Sequence, residues 1–178
     1  MTADPRQPVS DFTEMTDREL AMMIGAFFRA IGWGAVAGGG FLLIFTVPIG
    51  LAMLIGDGEP GGLVVAFLPL GLALAGTLLG MLAFGLPVTF LLRHFGREEA
   101  SIYAGAGIVG GILECVLFSA WLMGGFNGSL FFAALFPGLF CAFAGAVAGG
   151  VWGAHREERV RQATDPEHPT NPYHDMIY

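Results

Sequence analysis

The chain has 178 residues, of which 54% are hydrophobic and only 13% charged, and its mean hydropathy is +0.67. A soluble domain needs about a quarter charged residues to cover its surface, so the composition excludes that class and points to an integral membrane protein. The net charge of −7 resides in the termini and short loops, and no basic stripe of the kind that binds nucleic acid is present.

All eight basic residues are arginine, a usage that leans toward a GC-rich bacterial source and hence a bacterial inner membrane. Both cysteines, Cys115 and Cys141, fall in apolar runs. There they read as small packing residues and not as a disulfide framework. The polar, acidic start and the length of the first apolar run do not resemble a cleavable signal peptide.

Residues 1–15 carry Pro5, Pro8 and several acids without any hydrophobic period, which predicts a disordered cytoplasmic arm. Thr16-Asp17-Arg18-Glu19 fits a capping box, in which the threonine hydroxyl and the glutamate carboxylate satisfy each other's backbone amides. The apolar run that follows, about 55 Å if wholly helical, exceeds the ~20 residues that one span requires. Its division predicts an interfacial amphipathic helix at 16–30, with Leu20, Met23, Ile24, Phe27 and Phe28 on its apolar face, and a first span at 31–55. A single long tilted helix would use the same residues. Arg29 would snorkel to the head groups.

The breaker-rich turn from Gly56 to Gly62 belongs in water. A second span at 63–92 is long enough to tilt or kink, with Pro69 and Pro87 as the kink points. A charged loop around Arg93, His94 and Arg97 separates it from a third span at 102–123. After a glycine-rich turn, a fourth span runs over 130–154. The 155–178 segment is a cytoplasmic tail, its first part able to continue as helix and its proline-rich end loose.

Arginine placement orients the spans. The N-terminal arm, the middle loop and the C-terminal tail hold all eight arginines, and the first and third loops hold none. By the positive-inside rule both termini are cytoplasmic. The fold class is therefore all-α, with a transmembrane domain at 31–154 of four helices, N-in and C-in. Gly34 to Leu42 lines up with Gly105 to Leu113, and Pro69, Gly76, Gly80 with Pro137, Gly145, Gly149. Tandem duplication of a helical hairpin would produce this pattern; the abundance of Gly, Ala and Leu produces it by chance equally well.

Gly105-x-Gly107-x-x-Gly110 satisfies a dinucleotide-binding pattern, but that chemistry requires a preceding strand and an exposed helix start. Inside a span, glycines instead let helices approach closely. Gly145, Gly149 and Gly153 form a glycine zipper, and Gly34/Gly38, Gly76/Gly80 and Gly107/Gly111 repeat the small-xxx-small spacing. They predict helix packing within the bundle, with a share for oligomerisation.

Glu114 is the only charged side chain deep within a span. A charge at the bilayer centre costs at least about 2.5 kcal/mol, which favours the neutral, hydrogen-bond-donating acid. Thr46, Thr77 and Cys141 are its candidate partners and complete a candidate proton or cation site. As interhelical glue such a group contributes about 0.6 to 2 kcal/mol; as a functional group it would bind a proton or a cation. Arg29, Arg93, Arg97, Arg156 and Arg159 are placed to meet lipid head groups. Asp165, Glu167, His168, His174 and Asp175 in the tail match no metal-binding spacing.

No motif calls for a cofactor, and no catalytic arrangement sits where water and substrate could meet, so the chain does not read as an enzyme. Two functions fit. One is a helix-packing interaction protein, as a homo-oligomer or as a subunit of a larger membrane complex. The other is a small proton- or cation-coupled transporter or channel using Glu114.

Overall fold

Apolar runs in hydrocarbon fold as helices because each backbone N–H and C=O must be satisfied within its own segment. The computed structural model describes residues 17–56, 58–126 and 128–164. The N-terminal arm at 1–15, the capping residue Thr16 and the tail residues from Asp165 onward lie outside that range. Within it there are helices and turns and no strand: α1 (Asp17–Gly56), α2 (Gly61–Gly80), a π-helical turn (Met81–Gly85), α3 (Leu86–Phe95), α4 (Ala100–Leu122) and α5 (Gly128–Thr164). Four segments are long and apolar enough to cross a membrane: Asp17–Gly56, Gly61–Phe95, Ala100–Leu122 and Ala134–Gln162. They support a multi-pass membrane protein.

The first helix differs from the division expected of it. No break separates an interfacial helix from a span, and α1 runs unbroken for 40 residues. The cause is a stripe of small residues that begins earlier than Gly34. Ala26, Ala30, Gly34 and Gly38 recur at four-residue spacing and all are buried, so one straight face packs along its neighbour and nothing favours a bend at Arg29. Met23 and Phe27, expected on a membrane surface, pack instead against a core of Ala26, Ala30, Ile31, Met81, Tyr103, Ala148 and Trp152. Leu20, Ile24 and Phe28 do face outward. Past the fourth span, α5 continues as helix through residue 155 to Thr164, the continuation that the sequence allowed.

The second membrane segment changes register just before Pro87. Proline has no amide hydrogen to give to the carbonyl four residues back, and its ring crowds that carbonyl. The chain responds with the π turn, in which the Leu86 amide donates to the Met81 carbonyl five residues earlier. Pro69, the other expected kink point, lies within continuous α2.

Two hairpins result, α1 with α2 and α4 with α5, and they join chiefly through α1 against α5, while α2 touches α4 only lightly. Glycine closes the helix ends at two turns. Gly96 (φ +64°) and Gly124 (φ +72°) adopt the left-handed conformation, and the next amide in each case reaches back five residues, Arg97 to Leu92 O and Gly125 to Ala120 O. This is the Schellman closure that favours glycine.

The turn after α3, the start of α1 and the far part of α5 share one end of the bundle, which is also the best-stitched end. Arg156 grips Glu98 with two hydrogen bonds of 2.9 Å, and Glu157 accepts from the Ala100 amide at 3.0 Å, at the start of α4. Below them Trp152 donates to Thr89 Oγ1 at 2.9 Å, Thr89 donates to Gly85 O at 2.7 Å, and Phe27 meets the Trp152 ring edge to face. Tyr103 is 3% exposed, and its hydroxyl has no properly formed hydrogen bond among the described residues. A buried hydroxyl without a hydrogen bond costs stability, because it has given up its water and gained no partner. Tyr103→Phe is therefore expected to melt at or above wild type, by up to about 1 kcal/mol; a large loss in a thermal melt would show that the hydroxyl is bonded in the membrane.

Candidate functional site

The helix contacts set where Glu114 can point. Gly107 and Gly145 meet backbone to backbone, Gly111 rests on the Cys141 carbonyl, and Gly149 rests on that of Tyr103. Gly153 packs against Ala100 and Tyr103. Gly34 faces Thr77, Ala144 and Ala148, while Gly38 faces Ala144. These positions are all occupied by the chain's own helices. With the α4 face that carries Gly107 and Gly111 turned to α5, Glu114 leaves toward the lightly packed seam between α4 and α2.

There it lies over Gly76 and Gly80. A Cβ added to Gly80 would stand 2.7 Å from Glu114 Oε2, and one on Gly76 would stand 3.6 Å from Oε1. The two glycines of α2 thus form a shallow recess for the carboxyl, one residue before the π turn. On the α4 side Gly110 packs against Phe84 of that turn. Glu114 is half-buried, and no hydrogen bond or ion pair reaches its carboxyl among the described residues.

Of its three expected partners the fold brings one close. Cys141 contacts Cys115 and lies within electrostatic reach of Glu114. Thr77 sits on α2 between the two recess glycines, but its hydroxyl donates to Ala73 O at 2.7 Å and its methyl turns to Gly34. Thr46 donates across the first hairpin to Ala66 O at 2.9 Å, near the opposite end of α2 and about 20 Å along the helix from Gly80. Both hydroxyls serve backbone carbonyls. In hydrocarbon that saves a local orphan and leaves nothing for a distant acid.

The five arginines expected at head groups separate into different roles. Arg156 is taken up by Glu98, whose side chain is only 7% exposed. Arg159 stands 3.9 Å from Glu19. Arg93 and Arg97 are exposed at the end of α3 and in the turn beyond it, and Arg29 is exposed on α1. The sequence reading missed the Glu98–Arg156 pair. Its only signal was an acid in the middle loop opposite an arginine just past the fourth span. Thr89 and Trp152, also missed, have no spacing relation that would have linked them.

Comparison with protein-family models, curated proteins and solved structures found no match. The site's geometry is therefore the ground for a functional reading.

Proposed function

We propose that this is a self-associating interaction protein of a bacterial inner membrane, in which Glu114 on the α2–α4 seam is the contact between copies. The single observation that carries the reading is a half-buried carboxyl, deep in an apolar helix, that no hydrogen bond or ion pair reaches among the described residues. A neutral carboxylic acid is one donor and one acceptor, so it is complementary to a second copy of itself across a two-fold axis. The internal glycine contacts are already used, which leaves this seam as the place where a further helix gains a hydrogen bond. The arginine distribution supports an orientation with both termini and the turn after α3 in the cytoplasm. The pairing of α1 with α2 and α4 with α5 supports an origin by hairpin duplication, although the unequal contacts between the hairpins depart from strict symmetry.

A photocrosslinking side chain at Leu79, which is 61% exposed beside the recess, tests the reading in native membranes. An adduct at twice the chain mass is expected, fading in Glu114→Leu and kept in Glu114→Gln. Lipid adducts alone, unchanged by either substitution, would exclude the seam as an interface.

The π turn favours a second reading. Such turns leave backbone carbonyls short of donors, and a carboxyl beside them is a place where a proton or cation could be held. That reading requires pH-dependent flux in proteoliposomes that Glu114→Gln abolishes, whereas self-association tolerates Gln.

A further inference from the structure

At the arginine-bearing end a cleft of about 460 Å³ opens between α1 and α5, walled by Arg29, Trp33, Val151, Ala154, His155 and Glu158. Adjoining it, through Arg29 and Trp33, an open recess of about 320 Å³ lies on the surface of α1 itself, lined by Arg29, Gly32, Trp33 and Val36. Gly32 has nothing within 4 Å of where a Cβ would sit, so the recess is open at that point. Trp33 stands 57% exposed beside it, the placement that tryptophan favours at the boundary between head groups and hydrocarbon.

The charges in the cleft are unusual in being opposite yet unpaired with one another. Arg156 and Arg159 flank His155, but Arg156 is held by Glu98 and Arg159 lies toward Glu19. Arg29 makes no ion pair among the described residues. Glu158 accepts from Gln162 at 3.0 Å through Oε1 and forms no ion pair with an arginine among the described residues. One wall therefore presents the Arg29 guanidinium, without an ion pair among the described residues, the other a carboxylate, and an apolar recess leads from them along α1.

We propose that this cleft binds one phospholipid with a zwitterionic, ammonium-bearing head group, its phosphate on Arg29, its ammonium on Glu158 and an acyl chain in the recess along Gly32 and Val36. Guanidinium suits phosphate through paired N–H donors. A primary ammonium gives the carboxylate hydrogen bonds that a trimethylammonium cannot. A purely anionic head group would meet the carboxylate of Glu158 without compensation.

The test is native mass spectrometry of the full chain released from membranes containing equal phosphatidylethanolamine, phosphatidylglycerol and phosphatidylcholine. The ethanolamine lipid should be retained roughly tenfold over the other two, as charged hydrogen bonds at a half-exposed site allow. Arg29→Gln should lose all three lipids, and Glu158→Gln should lower the ethanolamine lipid to the level of the choline lipid. Both side chains are exposed, so thermal melts should show the fold intact. Retention of phosphatidylglycerol equal to or above the ethanolamine lipid, or unchanged binding by Arg29→Gln, would overturn the assignment. Displacement by millimolar inorganic phosphate would also overturn it, by showing that the cleft takes a free phosphate and not a lipid.

Discussion

Gly145→Leu is expected to yield almost no folded protein in mild detergent, because it lands where two backbones touch. The Cβ of any residue at 145 would fall on the Gly107 carbonyl, and a side chain at 107 would fall on that of Gly145. Gly111 on Cys141 and Gly149 on Tyr103 repeat the arrangement one turn to either side, so parting the helices at one point loosens them all. Overpacking an ordinary core costs about 1 to 3 kcal/mol. Here the obstacle is main chain that has no rotamer to yield, and in lipid such close packing is the chief source of helix association. Gly80→Ala supplies the contrast, since it meets only the end of the flexible Glu114 side chain and should melt near wild type. Equal melting temperatures for Gly145→Leu and wild type would refute close α4–α5 packing.

Arg156→Ala is expected to be the next most damaging single change. It removes both hydrogen bonds to Glu98 and leaves a carboxylate that is 7% exposed without a counter-charge. Removing one partner of a fully buried pair costs about 3 to 5 kcal/mol; with Arg156 itself 20% exposed, solvent screening lowers the expectation to about 2 kcal/mol. Glu98→Ala combined with Arg156→Ala should recover much of the loss, because no orphan charge remains. Lysine at 156 should rescue only partly, since an ammonium cannot reproduce the two-pronged grip. A thermal-melt cycle checks this, and a double variant as unstable as Arg156→Ala would count against a buried pair.

How much of this was legible beforehand differs from element to element. The four apolar runs and their breaks are a matter of composition and length, which is why 63–92 and 130–154 fall within the helices found and 102–123 matches α4 to within one residue at its end. The first run was harder. Arg29 looks like a boundary when charge is read alone, whereas the alanines at 26 and 30 that carry the packing stripe past it resemble any other helix filler. A register shift before Pro87 was legible only as a kink, because proline dictates a defect but not whether the helix bends or widens. At the site, Glu114 lies within an apolar helix as the sequence indicates, but the glycines that receive its carboxyl, Gly76 and Gly80, belong to α2. Thr46 and Thr77 were plausible by depth. Their hydroxyls went instead to the nearest backbone carbonyls, a choice that depends on rotamer and neighbour.

Glu114 remains the group whose role decides between a chain that packs with itself and one that moves a proton or cation. Its copy number in lipid nanodiscs, counted by native mass spectrometry for wild type, Glu114→Gln and Glu114→Leu, tests this most directly. A carboxyl–carboxyl contact of about 0.6 to 2 kcal/mol corresponds to a roughly 3- to 30-fold weakening of the dimer when leucine replaces it. Dimers for wild type and Gln with monomers for Leu are the expected result. Monomeric wild type, or the same dimer fraction for all three, would contradict self-association through Glu114.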